Sequence, residues 1–264
     1  MTDDTVSPSV TGSVRPKMDV IFRSLMRADS TVLVRSSRSL LLNVIVPILY
    51  LVITSLHLGR GGITHLSAEF SISLALAVGL VSSSLTGYAS SIAADRDAGV
   101  FQRLRVTPAP TWVIMTSRLL VQIIVDLIMT IVVLVVGSIV HNAFFSAGEY
   151  LLVVCVSVLG GAMFLAIAQA IVGLITSTAV VNAVGRILFI VFLLLGLLGA
   201  TGILGDTVRN ISDWTPVGAL INLYGGVLDL GQWGWTNTSG LIATSGYIVV
   251  GAFVGIRWFR WDSR

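Results

Sequence analysis

Charge is scarce in this chain. Of its 264 residues only 11% are Asp, Glu, Lys or Arg, against 55% hydrophobic. A soluble domain carries roughly twice that charge, and a single aqueous core could not absorb so much apolar surface. Lysine is almost absent, Lys17 being the only one. A phosphate-cradling G-x-x-x-x-G-K-[ST] loop needs a lysine beside its glycines, so the chain has no ATP site of that kind. Cysteine is a single residue, Cys155, inside an apolar run. That excludes disulfide frameworks and cysteine-rich metal sites and leaves a small buried hydrophobe. Histidine is also sparse: His57, His65 and His141 all fall near the ends of apolar runs. His65 and Glu69 have i, i+4 spacing, but two ligands do not make a zinc site, so no metal is expected.

What is present is a series of long apolar runs. Several approach or exceed the roughly 20 residues that cross a bilayer as a helix. Six spans are expected, at about 39–58, 66–90, 119–140, 150–175, 184–204 and 240–259. The fold class is therefore an all-α polytopic membrane protein. Residues 1–16, rich in Ser, Thr, Val and Pro, read as a disordered tail. Residues 17–38 suit an amphipathic helix in the membrane interface. There Ile21, Phe22, Leu25 and Met26 alternate with Arg23, Arg27, Arg35 and Arg38, whose guanidinium groups would meet anionic lipid headgroups. No apolar run resembling a cleavable signal precedes the first span. Pro47 should kink that span. The hydroxyls of the second span (Ser71, Ser73, Ser82, Ser83, Ser84, Thr86) allow close helix packing or a polar path.

The basic residues, which give a pI of about 9.4, gather in particular loops rather than on one face. That is a topology pattern and not a nucleic-acid surface. Fourteen Lys/Arg fall on one side of the six spans and two, Arg60 and Arg209, on the other. Both termini are therefore expected in the cytoplasm of a bacterial inner membrane. The connection 205–239 is then external. Its apolar content and its aromatics Trp214, Tyr224, Trp233 and Trp235 suggest short re-entrant helices with the rings at headgroup depth; stacking on sugars is an alternative use.

One stretch does not fit a lipid setting. Asp95–Pro108 reads DRDAGVFQRLRVTP, with Asp95, Arg96, Asp97, Arg103 and Arg105 between two apolar runs. Asp97, Val100, Phe101 and Leu104 fall at i, i+3, i+4 and i+7 and make one helical stripe. Pro108 biases Thr107 away from helical geometry and ends the element. A helix of about three turns is expected, with its acidic residues at the positive N-terminal end and Phe101 and Leu104 exposed. Asp126 is the other unusual residue, roughly 12 Å along a helix from Arg118. Gln122 lies one turn earlier on the same face. Asp126 could serve as a proton-responsive site, a contact for a cationic substrate, or a polar link within the bundle.

DRDAGVFQRLRVTP resembles the acidic-Arg-acidic, Gly, Leu-Arg, Thr-Pro signature of ATP-binding-cassette (ABC) type 2 permeases, especially the daunorubicin-resistance branch of drug exporters. The basic leader, the Pro-containing first span, the Leu58–Gly62 turn and Trp214-Thr215-Pro216 extend the likeness across most of the chain. The Val100-Phe101-Gln102 triplet departs from the Thr and acidic residue more usual there. The resemblance implies that this segment is a coupling helix docking into a cytoplasmic ATPase. Asp95, Arg96, Asp97, Gly99, Val100, Phe101, Leu104, Arg105, Thr107 and Pro108 would transmit ATPase closure to the spans. It further implies that ATP and Mg are bound by the partner ATPase, with no cofactor in this chain, and that a second six-span permease, identical or homologous, completes the pathway. The expected cargo is hydrophobic or amphipathic (drug, lipid or glycolipid), with polysaccharide or glycoconjugate export as an alternative. Two other classes are weaker. An intramembrane serine protease would need a histidine deep in a span. An ion-coupled secondary transporter using Asp126 would be expected to show internal repeats.

Overall fold

The computed structural model describes residues 18–35, 37–58, 67–105, 111–202 and 204–258. All regular structure among them is helical. The elements are α1 (Met18–Arg35), α2 (Ser37–Leu58), α3 (Ala68–Leu80), a π-helical segment (Val81–Tyr88), α4 (Ala89–Asp97), α5 (Val100–Arg105), α6 (Thr111–His141), α7 (Ala147–Leu174), α8 (Thr178–Thr201), α9 (Asp206–Trp214), α10 (Pro216–Leu228) and α11 (Trp235–Trp258).

Five helical stretches are long and apolar enough to cross a membrane: Ala68–Asp97, Val113–His141, Ala147–Leu174, Thr178–Gly199 and Trp235–Trp258. They fall on the expected second to sixth spans. The first coincides with α2, which continues through Pro47 with its apolar part at Val44–Leu56. Pro47 is buried, its ring facing Gly79 of α3. The second span differs most from expectation. It does not stop near residue 90 but runs unbroken through the π segment to Asp97, so the first charged residues are its own last turn.

The core is a seam of α3, the π segment, α7 and α10, with Leu76, Leu80, Met163, Phe164, Leu220 and Tyr224 among its fully enclosed side chains. Small residues set its tightness. α7 and α11 run parallel, and a Cβ on Gly251 would lie 2.8 Å from the Ala166 carbonyl carbon and one on Gly255 2.7 Å from Gln169 Cγ. Such close backbone approach is how apolar helices gain packing energy where water supplies no drive.

The connection before the last span is a helical hairpin. α9 folds back along α8, with Ser212 Oγ donating to the Leu195 carbonyl at 2.8 Å. Pro216 opens α10 at its first position, where no backbone donor is needed, and the Thr215 hydroxyl caps the Gly218 amide at 3.2 Å. α10 then returns through the bundle, almost wholly buried. A helical hairpin thus occupies the connection where re-entrant helices were expected, and one of its aromatics is not exposed. Tyr224 is fully buried, and its hydroxyl shares a 2.7 Å hydrogen bond with Ser157 of α7. Trp214, Trp233 and Trp235 are exposed, and Trp235 opens α11. Cys155 is likewise exposed on the outer face of α7, not buried.

Candidate functional site: the charged end of the bundle

The charged segment forms two elements where one helix was expected. Gly99 has φ +68°, the left-handed region that glycine adopts without steric cost. The Ala98 amide donates to Ala94 O at 2.9 Å and the Gly99 amide to Arg96 O at 3.1 Å, closing off α4. Val100–Arg105 then forms a separate six-residue helix. The glycine is a helix-stop signal that outweighs the i, i+3, i+4, i+7 stripe. As a consequence Asp95 and Asp97 lie in the last turn of α4, at the negative end of its dipole, and not at a helix start. Asp97 is exposed; Asp95 is stabilised by a cation.

That cation is Arg118, near the start of α6. Its Nη1 donates to Asp95 Oδ2 at 2.5 Å. Its Nε lies 3.8 Å from Asp29 Oδ1 on α1. Its guanidinium carbon sits 5.0 Å from the centroid of the Phe101 ring, a cation–π arrangement. Ser117 beside it donates to Asp29 Oδ2 at 2.7 Å. Burial pushes the Asp29 carboxyl up, against the lowering pull of the Ser117 hydrogen bond and the Arg118 charge.

Arg96 makes the second tie. It is buried, with Nη1 donating to Val172 O at 2.9 Å and Nη2 to Ile175 O and Thr176 O, both at 2.8 Å. The last carbonyls of a helix have no partners within it and carry partial negative charge, so a guanidinium is well matched to the end of α7. Arg96 points inward, although the stripe places it on the outward face. Phe101 is the other correction. At 1% exposed it packs into the protein under Arg118 and offers no surface for docking.

A second polar group lies deeper. Asp126 of α6 is buried, accepting from Gln122 Nε2 at 3.1 Å and from Ser84 Oγ through a short hydrogen bond. Gln122 also donates to Ser83 Oγ at 2.7 Å. Ser83 and Ser84 belong to the π segment, whose extra residue per turn changes which side chains face α6. On the far side a Cβ at Gly161 of α7 would approach Asp126 Oδ2 to 3.2 Å. The expected Gln122–Asp126 pairing is present, and the carboxylate is enclosed by protein donors. Of the histidines, His141 Nε2 lies 3.3 Å from Thr54 Oγ1; His65 and the His57 side chain lie outside the described residues. No group of three or more potential metal ligands occurs among the described residues.

The sequence model of the ABC-2 type transporter family matches residues 21–224. The chain belongs to that family. The match begins in α1 and ends in α10, so it takes in both arginine ties and the Asp126 group. No curated protein matches the chain. As an ABC-2 member it is a membrane-spanning permease component of an ABC-type transporter, not the ATPase itself.

Within this ABC-2 permease the expected coupling residues separate into two sets. Asp95, Arg96 and Phe101 hold the turn to the bundle. Asp97 and Gln102 are exposed, with Gly99 and Val100 between the two sets. The side chains of Leu104 and Arg105, with Thr107 and Pro108, lie outside the described residues. In α1, Arg23 and Arg27 are exposed; the side chains of Arg35 and Arg38 are outside the described residues. The sequence reading missed Arg118, Ser117 and Asp29. Arg118 counted there only toward topology, although a basic residue about two turns into an apolar helix, downstream of an acidic loop, is itself a pairing signal.

Proposed function

We propose that the chain is the permease subunit of an ABC exporter that moves a hydrophobic or amphipathic molecule outward, with ATP and Mg bound and hydrolysed on a separate cytoplasmic subunit. The α4–α5 turn is the surface that ATPase grips, presenting Asp97 and Gln102. Both termini and this turn lie on the cytoplasmic side of a bacterial inner membrane, as the basic residues favour, and a second permease of the same kind completes the pathway. One observation carries the docking assignment. The exposed turn is not a slack loop: Arg96 anchors it to α7 and Arg118 anchors it to α1 and α6. A push on the turn therefore reaches two membrane helices, α6 and α7, as well as α1, which an ordinary inter-span loop would have no reason to do.

The reading of Asp126 as an ion-coupling acid gains no support from its surroundings, since its oxygens are engaged by Ser84 and Gln122. The drug, lipid or glycolipid class of cargo rests on the apolar, hydroxyl-dotted spans.

Co-purification with the ATPase tests the proposal. The Asp97→Arg, Gln102→Arg double variant should insert and fold normally yet recover less than a tenth of the ATPase that the native permease retains. Undiminished recovery would rule out this surface.

A further inference from the structure

We propose that Arg118 is a positioning residue of the transport cycle, carrying movement of the α4–α5 turn into the interfacial helix α1 through Asp29. The inference rests on the reading of that turn as the ATPase-docking surface and adds a route by which the movement leaves it.

Four elements meet at this one side chain. Arg118 extends from α6; Asp95 comes from the end of α4, Phe101 from α5 and Asp29 from α1. Its side chain is 13% exposed and those of Asp29 and Asp95 20% and 29%, so the group is shielded enough for its charges to matter. The contacts are unequal in a way that suits transmission. Arg118 grips Asp95 by a direct hydrogen bond, and its guanidinium carbon lies over the Phe101 ring. Toward α1 the contact is looser. Nε–H has no hydrogen-bond partner among the described residues, and Asp29 Oδ1 is 3.8 Å away. Asp29 is held in place independently by Ser117, the neighbour of Arg118 on α6.

One guanidinium thus serves two carboxylates, fully engaged with one and about 1 Å short of a hydrogen bond to the other. A displacement of α4–α5 that draws Arg118 toward α1 converts the long Asp29 contact into a hydrogen bond. A displacement the other way releases it. Such a small shift between two discrete arrangements is the kind of element that carries motion between packed helices. Arg96, bound to three carbonyls of one helix end, acts only as an anchor.

The test uses the full complex of permease and ATPase in nanodiscs, with Cys155→Ser removing the native thiol. Spin labels are placed through Ala28→Cys on α1 and Ala183→Cys on α8, both exposed positions. The label distance is compared between the nucleotide-free and the vanadate-trapped complex. The native hub should show a trapping-dependent shift. Arg118→Gln should reduce that shift to under a quarter while the ATPase still co-purifies and hydrolyses ATP. Asp95→Asn, a milder change, should reduce it in part. The exchange Arg118→Asp with Asp95→Arg should leave it lost, because it rebuilds the pair with α4 but sets a carboxylate against Asp29; restoration by that exchange would mean that the Asp29 contact carries nothing. A full shift in Arg118→Gln overturns the inference, as does a native complex that hydrolyses ATP with α1 unmoved. Failure of the Asp97 and Gln102 changes to weaken ATPase capture overturns the docking reading instead, so the two failures are distinguishable.

Discussion

Arg96 commits its terminal nitrogens to the carbonyls of Val172, Ile175 and Thr176. Arg96→Ala leaves those acceptors without donors in a buried setting and should lower stability by about 2–3 kcal/mol, read as a fall in the thermal midpoint of the detergent-solubilised permease. Arg96→Lys should recover part of this, since an ammonium cannot reach three carbonyls in one plane. At Asp126 the expectation is reversed. Asparagine can still accept from Ser84 or Gln122, so Asp126→Asn should leave stability and ATP-driven transport close to native. Asp126→Leu orphans the Ser84 hydroxyl and leaves the Gln122 amide only its Ser83 partner, and should cost about 1–3 kcal/mol. Transport lost in Asp126→Asn at one pH only would reopen an ion-coupling role. Asp29 gives a pH dependence. Burial raises its carboxyl in the folded state, so the folded protein holds that proton more tightly than the unfolded chain. Its stabilising contribution is present below the ordinary carboxylate value and is lost as pH rises through the raised one. Asp29→Asn should flatten thermal stability across that window.

At the scale of elements, the turn between α4 and α5 depends on one backbone conformation. Gly99→Ala has room, since its Cβ would sit 3.6 Å from Gln102 Oε1, but φ +68° disfavours any side chain by about 1–2 kcal/mol. The change should weaken ATPase capture more than it lowers the thermal midpoint. Gly251→Ala should act oppositely. There the Cβ meets the Ala166 backbone, so α11 must part from α7 and stability falls while docking survives. These cases also mark what was legible in the sequence. Hydropathy located the apolar runs because a helix in lipid must satisfy its own backbone and leaves a long unbroken signal. The apolar content and aromatics of 205–239 marked its helices, and the i, i+4 spacing gave the Gln122–Asp126 pair. The charged end was less legible. Its periodic stripe suggested a single helix, while Gly99, a stop signal in plain view, divides it. The inward turn of Arg96 and Phe101 depends on α7 and α6, elements distant in sequence, and no local pattern encodes them. The π segment was invisible for a similar reason: Ser82-Ser83-Ser84 reads as an ordinary small-residue face until Asp126 is placed against it.

For the whole molecule, an ABC-2 permease associates with ABC ATPase subunits, and what matters is where the ATPase meets it. The proposed place is the exposed side of the α4–α5 turn, backed by Arg96 and Arg118. The opposite end, where Trp235 is exposed at the start of α11, should face away from the cytoplasm. Photo-crosslinking in intact cells addresses this most directly, with benzoylphenylalanine introduced at Gln102 in one strain and at Trp235 in another. The account predicts a crosslink between permease and ATPase from Gln102 and none from Trp235. ATPase crosslinked from Trp235, or absent from Gln102 in cells where the two proteins co-purify, would contradict it.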